Sequence, residues 1–202
     1  MSELAVDYCC GVGGWSDGFA DAGFDVLGFD VKPQPKYRHE FVRADIRDLN
    51  GGDLPRVPRV VVGSAPCQPF TQYNQFTRDP EKGMELVREL YRLWQESRAP
   101  LFAFENVRLS VRYIEREFGP PTLNANPYFI WTNAPMGLRL RSNHEYKGLL
   151  REPKQITFKR GPSAGVTKTV RRWGWKGADE AARIPYAIAR PLAEACLSEG
   201  GP

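Results

Sequence analysis

The sequence VVVGSAPCQPFT at residues 60–71 joins a short apolar run to a lone cysteine, Cys67. The β-branched run at 60–62 predicts a strand that is buried on both faces of a parallel sheet. In such sheets ligands bind beyond the carboxyl ends of the strands, where Cys67 lies. Pro66 and Pro69 fix φ and remove two backbone donors, so this loop is stiff. Cys67 is therefore either an aimed nucleophile or a small buried hydrophobe, the usual fate of a free cysteine.

Length and composition predict one globular domain. The chain has 202 residues, of which 42% are hydrophobic and 26% charged, and its formal net charge is +4. It has no apolar run near the roughly 20 residues of a membrane-spanning helix. It also has no basic-then-apolar N-terminal segment, so we expect no secretory signal and no membrane partner. The four cysteines lack paired CxxC spacing, so we expect no metal site, no disulfide scaffold and a reducing cytoplasm.

A glycine-rich turn follows the first predicted strand. Leu4–Tyr8 predicts the strand, Cys9–Gly14 the turn, and residues 15–22 a helix. This order begins a nucleotide-binding βαβ unit, in which small residues let the backbone approach a ligand at a helix N-terminus. The spacing Gly11-x-Gly13-Gly14 differs from the dinucleotide pattern G-x-G-x-x-G, and any tight connection favours glycine.

Carboxylates follow the next predicted strands. Asp30 ends a strand over 24–29, about 20 residues after the glycine turn, where such folds place a carboxylate that accepts hydrogen bonds from ribose. Asp45 follows a third candidate strand and could accept from an adenine amino group. Glu105 ends the apolar strand that begins at Leu101, and it could reach the same pocket as Cys67. Each of these carboxylates is alternatively a solvated loop or surface residue.

The remaining elements are predicted from periodicity and caps. Asp79 and Pro80 precede a helix over 81–97, whose apolar stripe is expected in the core. Residues 120–127 predict a loop, and 128–131 and 136–140 predict strands. A final helix is expected over 185–198, with a bend at its internal proline. The inward-facing residues would be Met84, Val87, Leu90, Tyr91 and Trp94 of the first helix, with Ile188 and Leu192 of the last.

The positive charge of the chain is concentrated after residue 141. Basic residues there alternate with aromatic ones, a composition that suits a phosphate backbone and a stacked base. The competing interpretation is a flexible, solvated loop. The segment contains Lys147, Arg151, Lys154, Lys159, Arg160, Lys168, Arg171, Arg172 and Lys176, with Phe158, Trp173 and Trp175.

In order and spacing, these motifs resemble those of the cytosine-C5 DNA methyltransferases. The matching residues are Asp7-x-x-Cys10-Gly11-x-Gly13-Gly14, Asp30, Asp45, Pro66-Cys67-Gln68 and Glu105-Asn106-Val107. The resemblance covers residues 4–145 and looks most like the short methylases of bacteriophages. It implies an α/β, Rossmann-like S-adenosylmethionine-dependent methyltransferase fold with a mostly parallel sheet and a small basic C-terminal extension. The core would span 1–140, a minimal basic DNA-contacting segment 141–180, and a C-terminal helix returning to the core 181–202.

The resemblance also implies roles for individual residues. Cys67 would add to C6 of cytosine, Glu105 would bind N3 and the exocyclic amine, and Arg141 would bind O2. Arg139 and His144 remain alternatives to Arg141. S-adenosylmethionine would be bound by Asp7, Tyr8, Cys9, Cys10, Gly11, Gly13, Gly14, Asp30, Val31, Asp45, Ile46 and Pro66. Nucleic acid would be bound by Gln68, Asn106, Arg139, Lys159, Arg160, Arg171 and Arg172.

Two departures from the family pattern modify these expectations. Cys9 stands where the family usually has an aromatic residue that stacks on adenine, so Tyr8 or Trp15 could take that place. A short segment between Arg141 and Arg183 stands in place of a target-recognition domain. Since direct readout needs several side chains in a groove, we expect relaxed specificity, or help from a second subunit or a partner protein.

Double-stranded DNA is the expected partner, in a bacterial host cytoplasm if a phage encodes the chain. The motifs describe chemistry on cytosine and leave three alternatives open. These are an RNA substrate, a transferred group other than methyl from a cofactor analogue, and a non-catalytic DNA-binding relative.

Overall fold

The computed structural model describes residues 2–71, 79–125, 127–135, 184 and 186–198, and the backbone of 154–157 and 167–170. By its contacts the chain divides into two compact units. The first unit combines Met1–Leu140 with Arg183–Pro202, and the second is Arg141–Ala182. The sequence analysis treated the same regions as one domain with a basic segment and a returning helix.

In the described part of the first unit, seven strands form one sheet in the order β3-β2-β1-β4-β5-β7-β6. Strands β1 to β5 pair in parallel, whereas β7 is antiparallel to both β5 and β6. The predicted mostly parallel α/β fold is therefore confirmed. The strands are β1 (Leu4–Tyr8), β2 (Asp25–Asp30), β3 (Glu40–Arg43), β4 (Val60–Ser64), β5 (Leu101–Val107), β6 (Leu123–Ala125) and β7 (Tyr128–Thr132).

Helices cover both faces of this sheet. They are α1 (Gly14–Asp21), α2 (Pro80–Ser97), α3 (Arg108–Phe118) and α4 (Tyr186–Ser198). Successive residues of a strand face opposite sides. In β4, a Cβ on Gly63 would lie 3.0 Å from the Leu90 side chain of α2, while the next side chain, Ser64, is hydrogen bonded to Trp15 of α1. Helices α1 and α2 therefore pack on opposite faces.

The central strands are buried because their side chains are apolar on both faces. All five residues of β1 are buried, and Val60, Val61 and Val62 of β4 are almost fully inaccessible. Such continuous apolar runs are typical of parallel strands that are covered by helices on both sides. The parallel arrangement brings the carboxyl ends of β1 to β5 to one edge of the sheet. That edge carries the motifs identified in the sequence.

Helix α2 agrees with its prediction, apart from details of its buried face. Asp79 caps the helix, since its carboxylate accepts from the Lys82 backbone N–H at 3.2 Å. Leu93 is fully buried, although it was not assigned to the apolar stripe, while Tyr91 and Trp94 are only half-buried. These two aromatic rings pack with Phe102 of β5 at the margin of the core.

Two elements differ from the sequence prediction. Helix α3 was not predicted, and β6 lies in a segment predicted as a loop. Strand β6 forms because Leu123–Ala125 pairs with β7, a tertiary contact that overrides the local Asn and Pro signals. The strand predicted over 136–140 lies outside the described residues.

The described part of the second unit is a pair of antiparallel strands, β8 (Lys154–Thr157) and β9 (Thr167–Val170). Lys154 is opposite Val170 in this pair. Among the described residues, no helix is both long and apolar enough to cross a membrane.

Candidate active site

Cys67 lies three residues beyond the end of β4, as predicted. It precedes a short 3-10 helix, Gln68–Phe70, and its carbonyl accepts from the Phe70 N–H at 3.0 Å. Phe70 is fully buried and packs against Tyr113 of α3. Cys67 itself is half-buried, while Pro66 and Gln68 are exposed. The thiol therefore sits on an anchored loop with an accessible rim.

Asn106 anchors the other side of this loop. Its amide nitrogen donates to the Ala65 carbonyl at 3.0 Å, and its amide oxygen accepts from the Val107 N–H at 2.9 Å. The side chain is 2% exposed. Asn106 is engaged inside the protein and fixes the backbone just before Pro66 and Cys67, and the nucleic-acid contact expected from the sequence stays a prediction.

Glu105 lies beside this loop on β5, in register with Ser64 of β4. It is 7% exposed, and burial raises its pKa from 4.5 to about 7, against the opposing effect of a hydrogen bond from Ser64. Burial also raises the pKa of the Cys67 thiol, and the charge of Glu105 raises it further. The carboxyl and the thiol thus share one electrostatic environment, in which protonation of Glu105 favours the thiolate.

The glycine turn after β1 is held by Asp30. One carboxylate oxygen of Asp30 accepts from the Gly11 N–H at 3.0 Å, and the other accepts from the Lys32 N–H at 2.9 Å. Cys9, Gly11 and Gly13 all have positive φ, which lets the chain reverse sharply here. A Cβ on Gly11 would meet no atom within 4 Å, so this side of the turn faces open space.

Asp7 is the buried carboxyl of β1. The Ser16 hydroxyl donates to its Oδ2 at 2.6 Å and also lies 2.8 Å from the Tyr37 hydroxyl. The second oxygen, Oδ1, is buried and has no hydrogen-bond partner among the described residues. Burial raises the pKa of Asp7 to about 7. An orphaned buried oxygen next to a glycine turn is a place where a ligand donor can bind.

Asp45 and Ile46 follow β3 at the same edge. Asp45 caps a short 3-10 helix, and its carboxylate accepts from the backbone and the guanidinium of Arg47, which lowers its pKa to about 2. Ile46 is buried. Arg92 of α2 donates to the carbonyls of Ile46 and Leu49 at 3.2 and 3.0 Å. This segment is therefore fixed to α2.

The other predicted cofactor residues have distinct environments. Val31 is 54% exposed beside Asp30, and Cys9 is half-buried in a left-handed backbone conformation. Tyr8 and Trp15 were expected as substitutes for the missing aromatic at Cys9. Both are nearly inaccessible, since Tyr8 packs on Phe29 in the core and the Trp15 indole bonds to Ser64. Cys10 and the glycines at 13 and 14 are also buried.

Some predicted site residues lie outside the described ranges, and some residues that support the site were not predicted. Arg139, Arg141, His144, Lys159, Arg160, Arg171 and Arg172 lie outside the described residues, so their roles stay predictions. Sequence reasoning missed Ser64, Ser16, Tyr37 and Arg92, which hold the acidic groups or their loops. Of these, only Ser64 lies in the stretch 60–71 from which the sequence analysis starts. No local pattern there indicates that Ser64 bonds to Trp15.

Comparison with known proteins gives a consistent result. The sequence model of the C-5 cytosine-specific DNA methylase family matches residues 5–115. The type II methylase M.HgiDII of Herpetosiphon aurantiacus is 35% identical over 119 residues, which cover 53% of this chain and 33% of that protein. The type II methyltransferase M.XorII of Xanthomonas oryzae pv. oryzae is 32% identical over 120 residues, which cover 52% of this chain and 28% of that protein.

A crystal structure of an E. coli protein assigned as a DNA modification methyltransferase encoded within a prophage aligns with a TM-score of 0.41 and 30% identity, over 52% of this chain and 32% of that one. The chain spans about a third of the length of the curated relatives named above. The family match covers more than half of the chain and includes Asp7, Asp30, Asp45, Cys67 and Glu105. The chain therefore belongs to the C-5 cytosine-specific DNA methylase family.

Proposed function

We propose that this chain transfers a methyl group from S-adenosylmethionine to C5 of cytosine in double-stranded DNA, through a transient covalent bond between Cys67 and C6. The observation that carries the proposal concerns Cys67 on its anchored loop and the buried Glu105 on the adjacent strand. Glu105 is in register with Ser64, just before that loop, and its charge raises the pKa of the Cys67 thiol. A nucleophile and a carboxyl that titrates near neutrality suit covalent catalysis on a weakly reactive ring.

The residues around the glycine turn fit S-adenosylmethionine. The open space beside Gly11 leaves room for the cofactor, and Oδ1 of Asp7 offers a buried acceptor. Asp30 and Val31 would bind the ribose side, and Asp45 with Ile46 the adenine. The bound cofactor supplies an electrophilic methyl group on a sulfonium sulfur. The remaining contacts would come from Tyr8, Cys9, Cys10, Gly13, Gly14 and Pro66.

Cys67 and Glu105 divide the chemistry on the base between them. The Cys67 thiolate forms a bond to C6, which raises the electron density at C5. Protonated Glu105 donates to N3 and accepts from the exocyclic amine, so the negative charge of the activated ring is stabilised. Because the charge of Glu105 raises the pKa of Cys67, protonating Glu105 also favours the thiolate. When C5 carries the transferred methyl group, its proton leaves to water, the C5–C6 double bond re-forms, and the C6–S bond breaks with its electrons returning to the Cys67 thiolate.

The target base must leave the duplex to reach Cys67, because the thiol lies on a half-buried loop. Gln68 is exposed next to Cys67 and would contact the nucleic acid. The arginines and lysines at 139–172 would supply phosphate contacts, with Arg141 at O2 of the base. The short basic segment offers few side chains for base readout, so specificity would be relaxed or would be supplied by a second subunit or partner protein.

The test is incubation of the full chain with S-adenosylmethionine and unmodified duplex DNA, followed by mass spectrometry of the nucleosides. We expect 5-methylcytosine with the native protein and none with Cys67→Ala. A duplex with 5-fluorocytosine at target sites should trap the native protein covalently, while Cys67→Ala should bind without forming an adduct. DNA binding without modification or trapping would contradict the proposal. Modification of RNA but not of DNA would instead assign RNA as the substrate.

A further inference from the structure

A chain of hydrogen bonds joins the start of α1 to the Glu105 carboxyl. The Trp15 indole Nε1 donates to Ser64 Oγ at 3.2 Å, although the two residues are 49 positions apart. Ser64 and Glu105 are register partners in the β4–β5 pair, so their side chains project from the same face of the sheet, where a hydrogen bond from the Ser64 hydroxyl lowers the pKa of the Glu105 carboxyl. Trp15 and Glu105 are both buried, so neither end of this chain is freely exposed to water.

The chemistry of the three groups sets the direction of these bonds. An indole N–H only donates, so the Ser64 oxygen is the acceptor toward Trp15. The hydroxyl hydrogen of Ser64 is then available to donate to a Glu105 oxygen. An ionised carboxylate only accepts, so the order Trp15 to Ser64 to Glu105 leaves each donor with an acceptor. One acceptor site of Glu105 is thereby occupied, and the carboxyl keeps a hydroxyl hydrogen for N3 and a further acceptor site for the exocyclic amine.

The two ends of this chain belong to different parts of the site. Trp15 directly follows the glycine turn, whereas Glu105 lies beside Cys67. We propose that Ser64 is a positioning residue for Glu105, and that Trp15 keeps the Ser64 hydroxyl in its donating orientation. The glycine turn would thereby be coupled to the carboxyl that binds cytosine. This inference rests on the proposed function of Glu105.

The electrostatics agree with this geometry. A hydrogen bond donated to the ionised carboxylate lowers its pKa, so Ser64 opposes the larger effect of burial. On strand β7, the residue opposite Glu105 is Ile130, an uncharged side chain. Among the described residues, Cys67 is the titratable group whose pKa responds to Glu105. Removing the Ser64 hydroxyl should therefore raise the pKa of Glu105 and leave burial unopposed.

The test follows the titration of Glu105 in the full chain by NMR, with ¹³C-labelled glutamate carboxyl groups and Glu105→Gln to assign the signal. We expect Ser64→Ala to move the Glu105 midpoint upward by about one pH unit, and Ser64→Thr, which keeps a hydroxyl, to restore it. Trp15→Phe should give a smaller upward shift, since it frees the hydroxyl to rotate. Ser97→Ala is the matched control, because Ser97 is also buried but bonds to the Trp94 carbonyl.

The double variant Trp15→Phe/Ser64→Ala provides the sharpest outcome. Because Trp15 acts through Ser64, the double variant should titrate like Ser64→Ala alone. An unchanged midpoint in Ser64→Ala, or additive shifts, would overturn the inference. Where Trp15→Phe fails to fold, the comparison of Ser64→Ala with Ser64→Thr still decides. The titration needs no DNA, so it can fail while cytosine methylation succeeds, or the reverse.

Discussion

Replacing Glu105 with glutamine is expected to stabilise the protein above neutral pH, because glutamine keeps the shape of the side chain without its charge. Burial raises the pKa of Glu105 from 4.5 to about 7. An acid with a higher pKa in the folded state binds its proton more tightly there, so ionisation lowers the free energy of unfolding. This loss is absent below pH 4.5, grows as the pH rises to about 7, and is constant above. The difference between the two pKa values corresponds to about 3 kcal/mol.

Urea unfolding at about pH 5 and about pH 8 measures this difference, because the midpoint reports stability when the slope is unchanged. The free energy of unfolding of Glu105→Gln should exceed that of the native protein mainly at the higher pH, by up to about 3 kcal/mol. Glu115→Gln is the matched control, because Glu115 is exposed on α3. A stability difference between Glu105→Gln and the native protein that is equal at both pH values would refute the reasoning, since the effect would then arise from packing.

Three further substitutions test the packing around the site. Gly18→Ala places a Cβ 2.6 Å from that of Ala189 and 2.7 Å from the Arg190 backbone nitrogen, so urea unfolding should detect a loss of about 1–3 kcal/mol that Ala189→Gly does not fully restore. Asn106→Ala frees the Ala65 carbonyl, so methylation kinetics should show a lower kcat with nearly unchanged DNA affinity; a matching loss of DNA affinity would instead indicate direct contact. Arg92→Ala should destabilise the chain by about 1–3 kcal/mol and weaken S-adenosylmethionine binding in calorimetry, with partial recovery in Arg92→Lys.

The sequence predicts the central sheet and the order of the motifs because both depend on local patterns. The run at 60–62 is apolar on both faces, as is typical of a parallel strand covered by helices on both sides. Parallel pairing then carries the ends of β1, β2, β4 and β5 to one edge without further information. The placement of Cys67 beside Glu105 follows from adjacent strands, whose neighbouring positions the motif order implies.

The sequence does not predict contacts that depend on distant partners. Ser64 and Trp15 meet only because β4 lies against α1, and neither residue has a local signal for the other. Helix α3 was missed although Val111, Ile114 and Phe118 recur at spacings of three and four, because no side-chain N-cap marks where the helix begins directly after β5. Asn106 was interpreted by motif alone, while its hydrogen bond goes to the carbonyl of Ala65, in the loop after the neighbouring strand.

Two carboxyls of the described sheet are buried at the edge that carries the sequence motifs. Asp7 on β1 and Glu105 on β5 lie on either side of β4, and burial raises the pKa of each to about 7. Buried carboxylates in structural roles usually have a basic partner that offsets the cost of burial. For Asp7 and Glu105, the effect of burial is opposed by hydrogen bonds from serine residues, the hydroxyl and backbone N–H of Ser16 for Asp7 and the hydroxyl of Ser64 for Glu105, and not by a cation among the described residues. Ionisation of each carboxyl therefore lowers the stability of the folded protein, and no ion pair among the described residues compensates for it. This is expected of groups that complete their hydrogen bonds with a ligand.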